Sequence, residues 1–349
     1  MEKKKLAIIG YGGQGAWHAG WANKSDVIEL AGIYDINEKR CALARENGIK
    51  VYSTREEMLS DPTVDMVLCA TPNGSHKEIV IAAAEAGKHV ICEKPVAMSV
   101  ADFDQMRATA EKCGVVFSVH QNRRWDLDYL AMKQLIETEE IGELINIESR
   151  VHGSRGVPQD WRAHRPDGGG MVYDWGVHLI DQMLILIPEK ITGVYARLTH
   201  ITTDEVDDGF TLMLDFESGK RATVEVGTYN FFALPRYYIQ CRGGSAFIED
   251  WQKNTQVAKL KDWCEKEIVP VQTAAGITKT MAPRDEVSVE HYEIPRLKAD
   301  VHNFYRNLCD TIDGKCEQFI KNDEVRRVLL VMGAMFKSDE CRQALKVNI

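Results

Sequence analysis

The stretch Leu6-Ala7-Ile8-Ile9-Gly10-Tyr11-Gly12-Gly13-Gln14-Gly15 decides the fold. A short apolar run enters Gly10-x-Gly12-x-x-Gly15, and helical spacing begins at about Gly13. In this pattern the first glycine makes a tight turn, the second lets the backbone approach a pyrophosphate, and the third allows close helix–strand packing. The helix opening there presents free N–H groups and a partial positive charge, which suits phosphate. Gly10, Gly12, Gly13, Gln14 and Gly15 are therefore candidate cofactor-binding residues. The glycines alone are a weak signal. A strand before them, a helix after them and an acid at the end of the next strand are the context a dinucleotide site needs. Asp35 supplies that acid, 20 residues after Gly15 and followed by Ile36. At this distance a carboxylate accepts hydrogen bonds from the adenosine ribose diol. It also repels a 2′-phosphate, so NAD is expected over NADP, with Lys39 and Arg40 close enough to soften the exclusion. The alternative for Asp35 is a cap on the helix that starts near Asn37.

Working outward, the alternation continues. Strands are expected at Val27–Tyr34, Val64–Ala70, His89–Cys92 and Val115–Val119, with helices at Asn37–Glu46, Ser75–Ala86 and Ala101–Lys112. Alternation at this spacing means βαβ units and a parallel sheet. After about Asn122 the rhythm changes. A helix near Asp128–Thr138 leads into strand-like segments at Leu144–His152, Ile191–His200, Phe210–Phe216, Ala222–Tyr229 and Tyr237–Ile239, interrupted by one apolar helix at about Met171–Ile187. Residues 251–295 read as irregular loop with strand fragments, and helices are expected near Lys298–Thr311 and Asp323–Leu345. The predicted architecture is an α/β Rossmann domain with a parallel sheet (1–122), then an α+β domain with a large, mostly antiparallel open sheet (123–349).

The totals fit this reading. The chain has 349 residues, 44% apolar and 27% charged, with a formal charge of −9. That charge leaves no basic surface for nucleic acid, whose binding rests on Lys and Arg neutralising phosphates. The nine cysteines are odd in number, irregularly spaced and without a Cys-x-x-Cys pair. This argues against a disulfide framework or a zinc knuckle and for a reducing compartment. No signal-peptide core or membrane-spanning run is read, so a cytoplasmic protein is expected.

Two segments carry chemistry. Glu93-Lys94-Pro95 follows a strand at the carboxyl edge of the parallel sheet, where such sheets bind ligands. A lysine there can share a hydrogen bond with a substrate hydroxyl and help to remove its proton; otherwise it is a surface lysine in a proline-fixed turn. Gly168-Gly169-Gly170-Met171-Val172-Tyr173-Asp174-Trp175-Gly176-Val177-His178 is the second. Asp174 and His178 are four apart, so a helix places both on one face. The carboxylate then holds the imidazole and favours its protonated form, as for a general base with an orienting partner. A hydrogen-bonded core histidine is the plain alternative. A metal pair lacks a convincing third ligand, and no metal is expected.

With these residues in hand, the chain resembles the glucose–fructose oxidoreductase and inositol dehydrogenase family (the Gfo/Idh/MocA group) over nearly its whole length. The marks are Gly10-x-Gly12-x-x-Gly15, Asp35, Ala70-Thr71-Pro72-Asn73-x-x-His76, Glu93-Lys94-Pro95, Asn122-Arg123-Arg124, Trp161-Arg162 and the Gly168…Asp174-x-Gly176-x-His178-x-x-Asp181 run. The resemblance implies that Lys94, Asp174 and His178 form the catalytic group. It places Thr71, Pro72, Asn73, His76 and Glu93 along the dinucleotide, with Trp161 and Arg162 near the nicotinamide. Arg124 and His152 join the catalytic three as expected substrate contacts. Arg123 and Arg124 are otherwise charges at a domain junction, and Trp161 a half-buried core aromatic. The implied reaction is NAD-linked hydride transfer at a secondary alcohol of a sugar, glycoside or cyclitol, with C3 of a glucosyl group favoured. A homodimer or homotetramer is expected. The alternatives are a reductase of a non-sugar carbonyl or imine, and a non-catalytic NAD(H)-binding sensor.

Overall fold

The computed structural model describes residues 3–261 and 268–349. Strands β1 (Lys4–Ile9), β2 (Ile28–Tyr34), β3 (Met66–Cys69), β4 (His89–Cys92) and β5 (Phe117–Val119) form one sheet in the order β2-β1-β3-β4-β5. All its pairings are parallel. Helices α1 (Gly13–Ala22), α2 (Glu38–Glu46), α3 (Arg55–Ser60), α4 (His76–Glu85) and α5 (Val100–Cys113) connect and cover it. Coverage on both faces explains why β3 is a continuous apolar run with every residue buried. Each fully buried Leu, Ile or Met stabilises by roughly 1.5–3 kcal/mol. Chain order and sheet order diverge between β1 and β3, and ligands bind outside the strand ends at such a switch point.

The second sheet contains β6 (Leu144–His152), β7 (Ile191–Thr199), β8 (Gly209–Phe216), β9 (Arg221–Gly227), β10 (Tyr237–Cys241), β11 (Gly244–Ile248) and β12 (Thr255–Leu260). After the small hairpin of β13 (Val271–Thr273) and β14 (Gly276–Thr278), it is completed by β15 (Val289–Ile294) and β16 (Leu345–Lys346). Its order is β15-β12-β11-β10-β6-β9-β8-β7-β16. The β6–β9 pair is parallel; the other described pairs are antiparallel. Helices α6 (Leu127–Glu137) and α7 (Val177–Leu186) pack on it. Two more follow, α8 (Asn303–Ile312) and α9 (Asn322–Cys341); α9 lies against both β7 and α5.

Three sequence expectations change. The segment 251–295 supplies two strands of the large sheet, the edge strand β15 and its neighbour β12, paired from Thr255–Ile294 to Leu260–Val289; the polar composition of β15 reflects its exposure at the edge. The expected helix at Lys298 begins only at Asn303, because the Asp300 carboxylate accepts from His302 N at 3.0 Å and ends the preceding turn. Helix α9 stops at Cys341, and Leu345–Lys346 then pairs with β7. Helix α8 packs back on the first sheet's helices: His302 Nε2 lies 2.7 Å from Ser25 Oγ, and Arg306 pairs with Asp26.

Candidate active site

The glycine turn closes as its sequence requires. A Cβ on Gly15 would stand 1.9 Å from the Gly10 carbonyl oxygen, so only glycine allows α1 to start against β1. Helix α1 has no side-chain cap and no acid in its first turn, which leaves its N–H groups available to an anion. Gly13 and Gln14 are exposed at that end. Beside it lies a cavity of about 500 Å³ lined by Gly10, Asp35, Ile36, Arg40, Thr71 and Pro72, among others. The Asp35 carboxylate is buried and accepts from Tyr11 N at 2.7 Å and Asn37 N at 2.8 Å. It therefore holds the glycine turn as well as edging the cavity. Arg40 Nη1 lies 3.4 Å from Asp35 Oδ2 and roofs Gly12.

At the other end, Lys94 Nζ lies 3.1 Å from the Asp174 carbonyl oxygen and 3.4 Å from Asp174 Oδ1. Arg162 Nε approaches Asp174 Oδ2 at 3.3 Å while its guanidinium covers the Trp161 ring. Asp174 thus bridges two cations. The expected hold of Asp174 on His178 is corrected. Val172–Gly176 is a π-helical turn, which removes the i,i+4 register that would align the two side chains. His178 Nδ1 is instead buried without a hydrogen-bond partner. Burial first, then the charges of Lys94 and Arg123, hold the imidazole well below its usual range, so its neutral form is favoured. The turn is anchored at Gly170, where φ is +102° and a Cβ would meet Asp207 Oδ1 at 2.3 Å. The same aspartate accepts from Val172 N through Oδ2 at 2.7 Å.

Several expected contacts are engaged elsewhere. Arg124 is buried in a two-pronged pair with Asp181, at 2.8 and 2.6 Å, and reaches Glu324 in α9 at 2.8 Å. It clamps helices together and is not a substrate wall. His76 lies beneath the two cofactor-side loops, its ring nitrogens 3.0 Å from the Pro95 and 2.9 Å from the Thr71 carbonyl oxygens. Asn73 donates to the Gly168 carbonyl at 2.8 Å, joining the Thr71-Pro72-Asn73 loop to the second chemical segment. Glu93 points inward to His18 and His120 rather than along the cavity. Tyr173 donates to the Met98 carbonyl at 3.1 Å. His152 accepts from Leu234 N through Nδ1 and also lines a cavity of about 400 Å³ with Thr228, Trp251 and Trp175, the last being the ring beside His178.

Trp175 and Trp251 were not singled out from sequence. Trp175 is edge-on to His178, with ring centroids 6.1 Å apart, carries the Arg123 guanidinium at 4.1 Å, and pairs with Trp251 at 5.9 Å. The position of Trp175 beside Asp174 was the available signal; Trp251 lay in a stretch without periodicity. The eight described cysteines are free; Cys264 lies outside the described residues. No helix among the described residues is long and apolar enough to cross a membrane.

Comparison with known proteins identifies the family. The family described as oxidoreductase family, NAD-binding Rossmann fold, matches residues 4–121, and the GFO/IDH/MocA C-terminal domain matches residues 129–247. The chain is similar to myo-inositol 2-dehydrogenase of Thermotoga maritima, 30% identical over 63% of this chain and 67% of that protein. It is also similar to scyllo-inositol 2-dehydrogenase (NADP(+)) of Bacillus subtilis, 29% identical over 97% and 94%. A solved NAD-binding protein from Listeria innocua superposes with a TM-score of 0.96 at 42% identity, covering 99% of this chain and 100% of that one. The chain belongs to the Gfo/Idh/MocA family of oxidoreductases, an NAD-binding Rossmann domain followed by that family's C-terminal domain.

Proposed function

We propose that the protein oxidises one secondary hydroxyl of a neutral polyhydroxylated ring, a sugar, glycoside or cyclitol, with NAD as hydride acceptor. The observation that supports this is the Lys94–Asp174 ion pair just past the end of β4, with the Lys94 charge acting on the buried His178 of α7. The open turn at Gly12 and Gly13, the uncapped start of α1 and the cavity edged by Asp35 fit the dinucleotide. NAD, when bound, supplies the carbon that accepts the hydride. His178, kept neutral, takes the hydroxyl proton, while Lys94, steadied by Asp174, donates to the same oxygen and stabilises its developing charge. Arg162 fixes the far side of Asp174. Trp175 and Trp251 offer faces for the apolar side of a ring, and His152 and Thr228 add polar contacts.

Relatives acting on inositols support the substrate class. For a glucosyl substrate, C3 is the favoured position. The protein is read as cytoplasmic, with no membrane or nucleic-acid partner. It is expected to pair into a homodimer or homotetramer through the face of the large sheet opposite its helices. The test is incubation with NAD and glucose, methyl glucoside, an aryl glucoside or myo-inositol, following NADH absorbance and identifying the ketone by NMR. Activity confined to hydroxy acids or phosphosugars would overturn the substrate class; a ketone at another carbon would overturn C3 alone.

A further inference from the structure

Behind Lys94 lies a buried polar cluster that the proposed chemistry leaves unused. His18 Nε2 is 2.7 Å and His120 Nδ1 2.9 Å from Glu93 Oε1. Tyr305 Oη, from α8, is 2.6 Å from His18 Nδ1. The Lys94 backbone N–H donates to Glu93 Oε2 at 3.2 Å. All four side chains are almost wholly closed to water. The His18, Glu93 and His120 donor atoms lie within 4.8 Å of one another. Both ring nitrogens meet one shared carboxylate oxygen at hydrogen-bond lengths, so the set closes as a hydrogen-bonded chain.

The donor and acceptor inventory sets the charges. An ionised carboxylate only accepts, so both nitrogens facing Glu93 carry protons. Burial, then the neighbouring His120, lowers His18 to about 4, so its ring is neutral and its Nδ1 accepts the Tyr305 hydroxyl. His120 spends one proton on Glu93, and its Nε2 is buried without a partner. Burial alone would raise Glu93, but His120 and His18 outweigh it and hold the carboxyl well below its usual range. The Glu93 carboxylate therefore stays ionised inside the protein, adjoining Lys94 and within electrostatic reach of His178.

We propose that Glu93 is the buried counter-charge of the hydride-transfer site, set in place by His18, His120 and Tyr305, and that it favours oxidised over reduced dinucleotide. This rests on the functional reading above, which puts the nicotinamide beside Lys94. The ring is cationic in NAD⁺ and neutral in NADH, so a fixed negative charge stabilises the first selectively. A single buried charge close to the ring, at an effective dielectric of about 20, would change binding by more than tenfold. Solvent at the cleft mouth reduces the expected figure to about tenfold. Glu93, His18, His120 and Tyr305 are positioning residues here; none is assigned contact with the reacting atoms.

The experiment titrates wild type, Glu93→Gln and Tyr305→Phe with NAD⁺ and with NADH separately, by calorimetry, with a thermal melt of each protein. Glu93→Gln is expected to weaken NAD⁺ about tenfold relative to NADH. Tyr305→Phe keeps the carboxylate but releases the His18 tautomer, and is expected to shift the ratio two- to threefold in the same direction. Equal weakening of both dinucleotides, or an unchanged ratio in a folded variant, overturns the inference, because a purely structural role moves both together. If Glu93→Gln does not fold, Tyr305→Phe decides. A wild type that binds neither dinucleotide would overturn the functional reading, and this inference with it.

Discussion

Asp35 and Asp174 stand at opposite ends of the cleft and are held in opposite ways. Asp35 is fixed by backbone N–H donors, from Tyr11 and Asn37, and its position follows from the glycine turn it supports. Asp174 is fixed by two long side chains, Lys94 and Arg162, that come from distant segments. An acid held by its own turn is readable from spacing. An acid shared between cations is defined only when the chain has folded, and its partners rather than its neighbours decide what it does.

The largest expected effects lie at the Asp174 end. Lys94→Ala and His178→Ala should each lower kcat by about 10²–10⁴ while NAD affinity stays within a few-fold. Because both act on one proton, the double variant should lose less than the product of the single losses, measured by steady-state kinetics. Near-normal turnover in His178→Ala would remove it from the chemistry.

Away from both acids, Arg124→Met should separate scaffold from site. It leaves Asp181 buried without its partner, and breaking such a pair costs about 3–5 kcal/mol. Urea unfolding should show that loss, with KM for the substrate little changed in the protein that remains folded. A selective rise in KM at unchanged stability would restore Arg124 to the substrate wall.

The two buried histidines make a pH prediction. His18 is lowered to about 4 and His178 also lies well below 6.5. Folding therefore favours their neutral forms. Their contribution is complete above pH 6.5 and falls as pH drops through the window from 6.5 toward 4, where the unfolded chain binds protons first. For His18 alone the loss is on the order of 3 kcal/mol by pH 4. In the proposed chemistry His178 acts in its neutral form, so the acid limb of kcat/KM for this group should lie below pH 6.5. A Tm flat from pH 7 to 4, or an acid limb centred near 6.5, would contradict this.

The smallest effect belongs to Asp35. Asp35→Ser should weaken NAD and free Arg40 for a 2′-phosphate, narrowing the NAD preference by about tenfold. Wild type binding NADP as tightly as NAD would show that Arg40, at 3.4 Å, already cancels the carboxylate.

This contrast also explains what was legible beforehand. The parallel sheet, the glycine turn and Asp35 are local: apolar runs, glycine spacing and a strand end within 35 residues. Most strands of the large sheet followed from alternation, because one face packs on helices. The Asp174–His178 link failed because uniform helical spacing was assumed across a π-helical turn. Arg124 failed because its partners lie 57 and 200 residues away. The roles of His18 and His120 were invisible for the same reason, since their carboxylate and the closing tyrosine meet them only in the fold.

The return of α8 to the first sheet has a mechanical consequence. The chain leaves that unit after Asn122, comes back between β15 and α8, and leaves again on the way to α9. Three covalent crossings, reinforced by the Arg326–Asp104 pair between α9 and α5, tie the halves at separate points. Two bodies fastened at one point can swing about it; fastened at three, they can only flex. A protease cutting near residue 122 would therefore not set either half free.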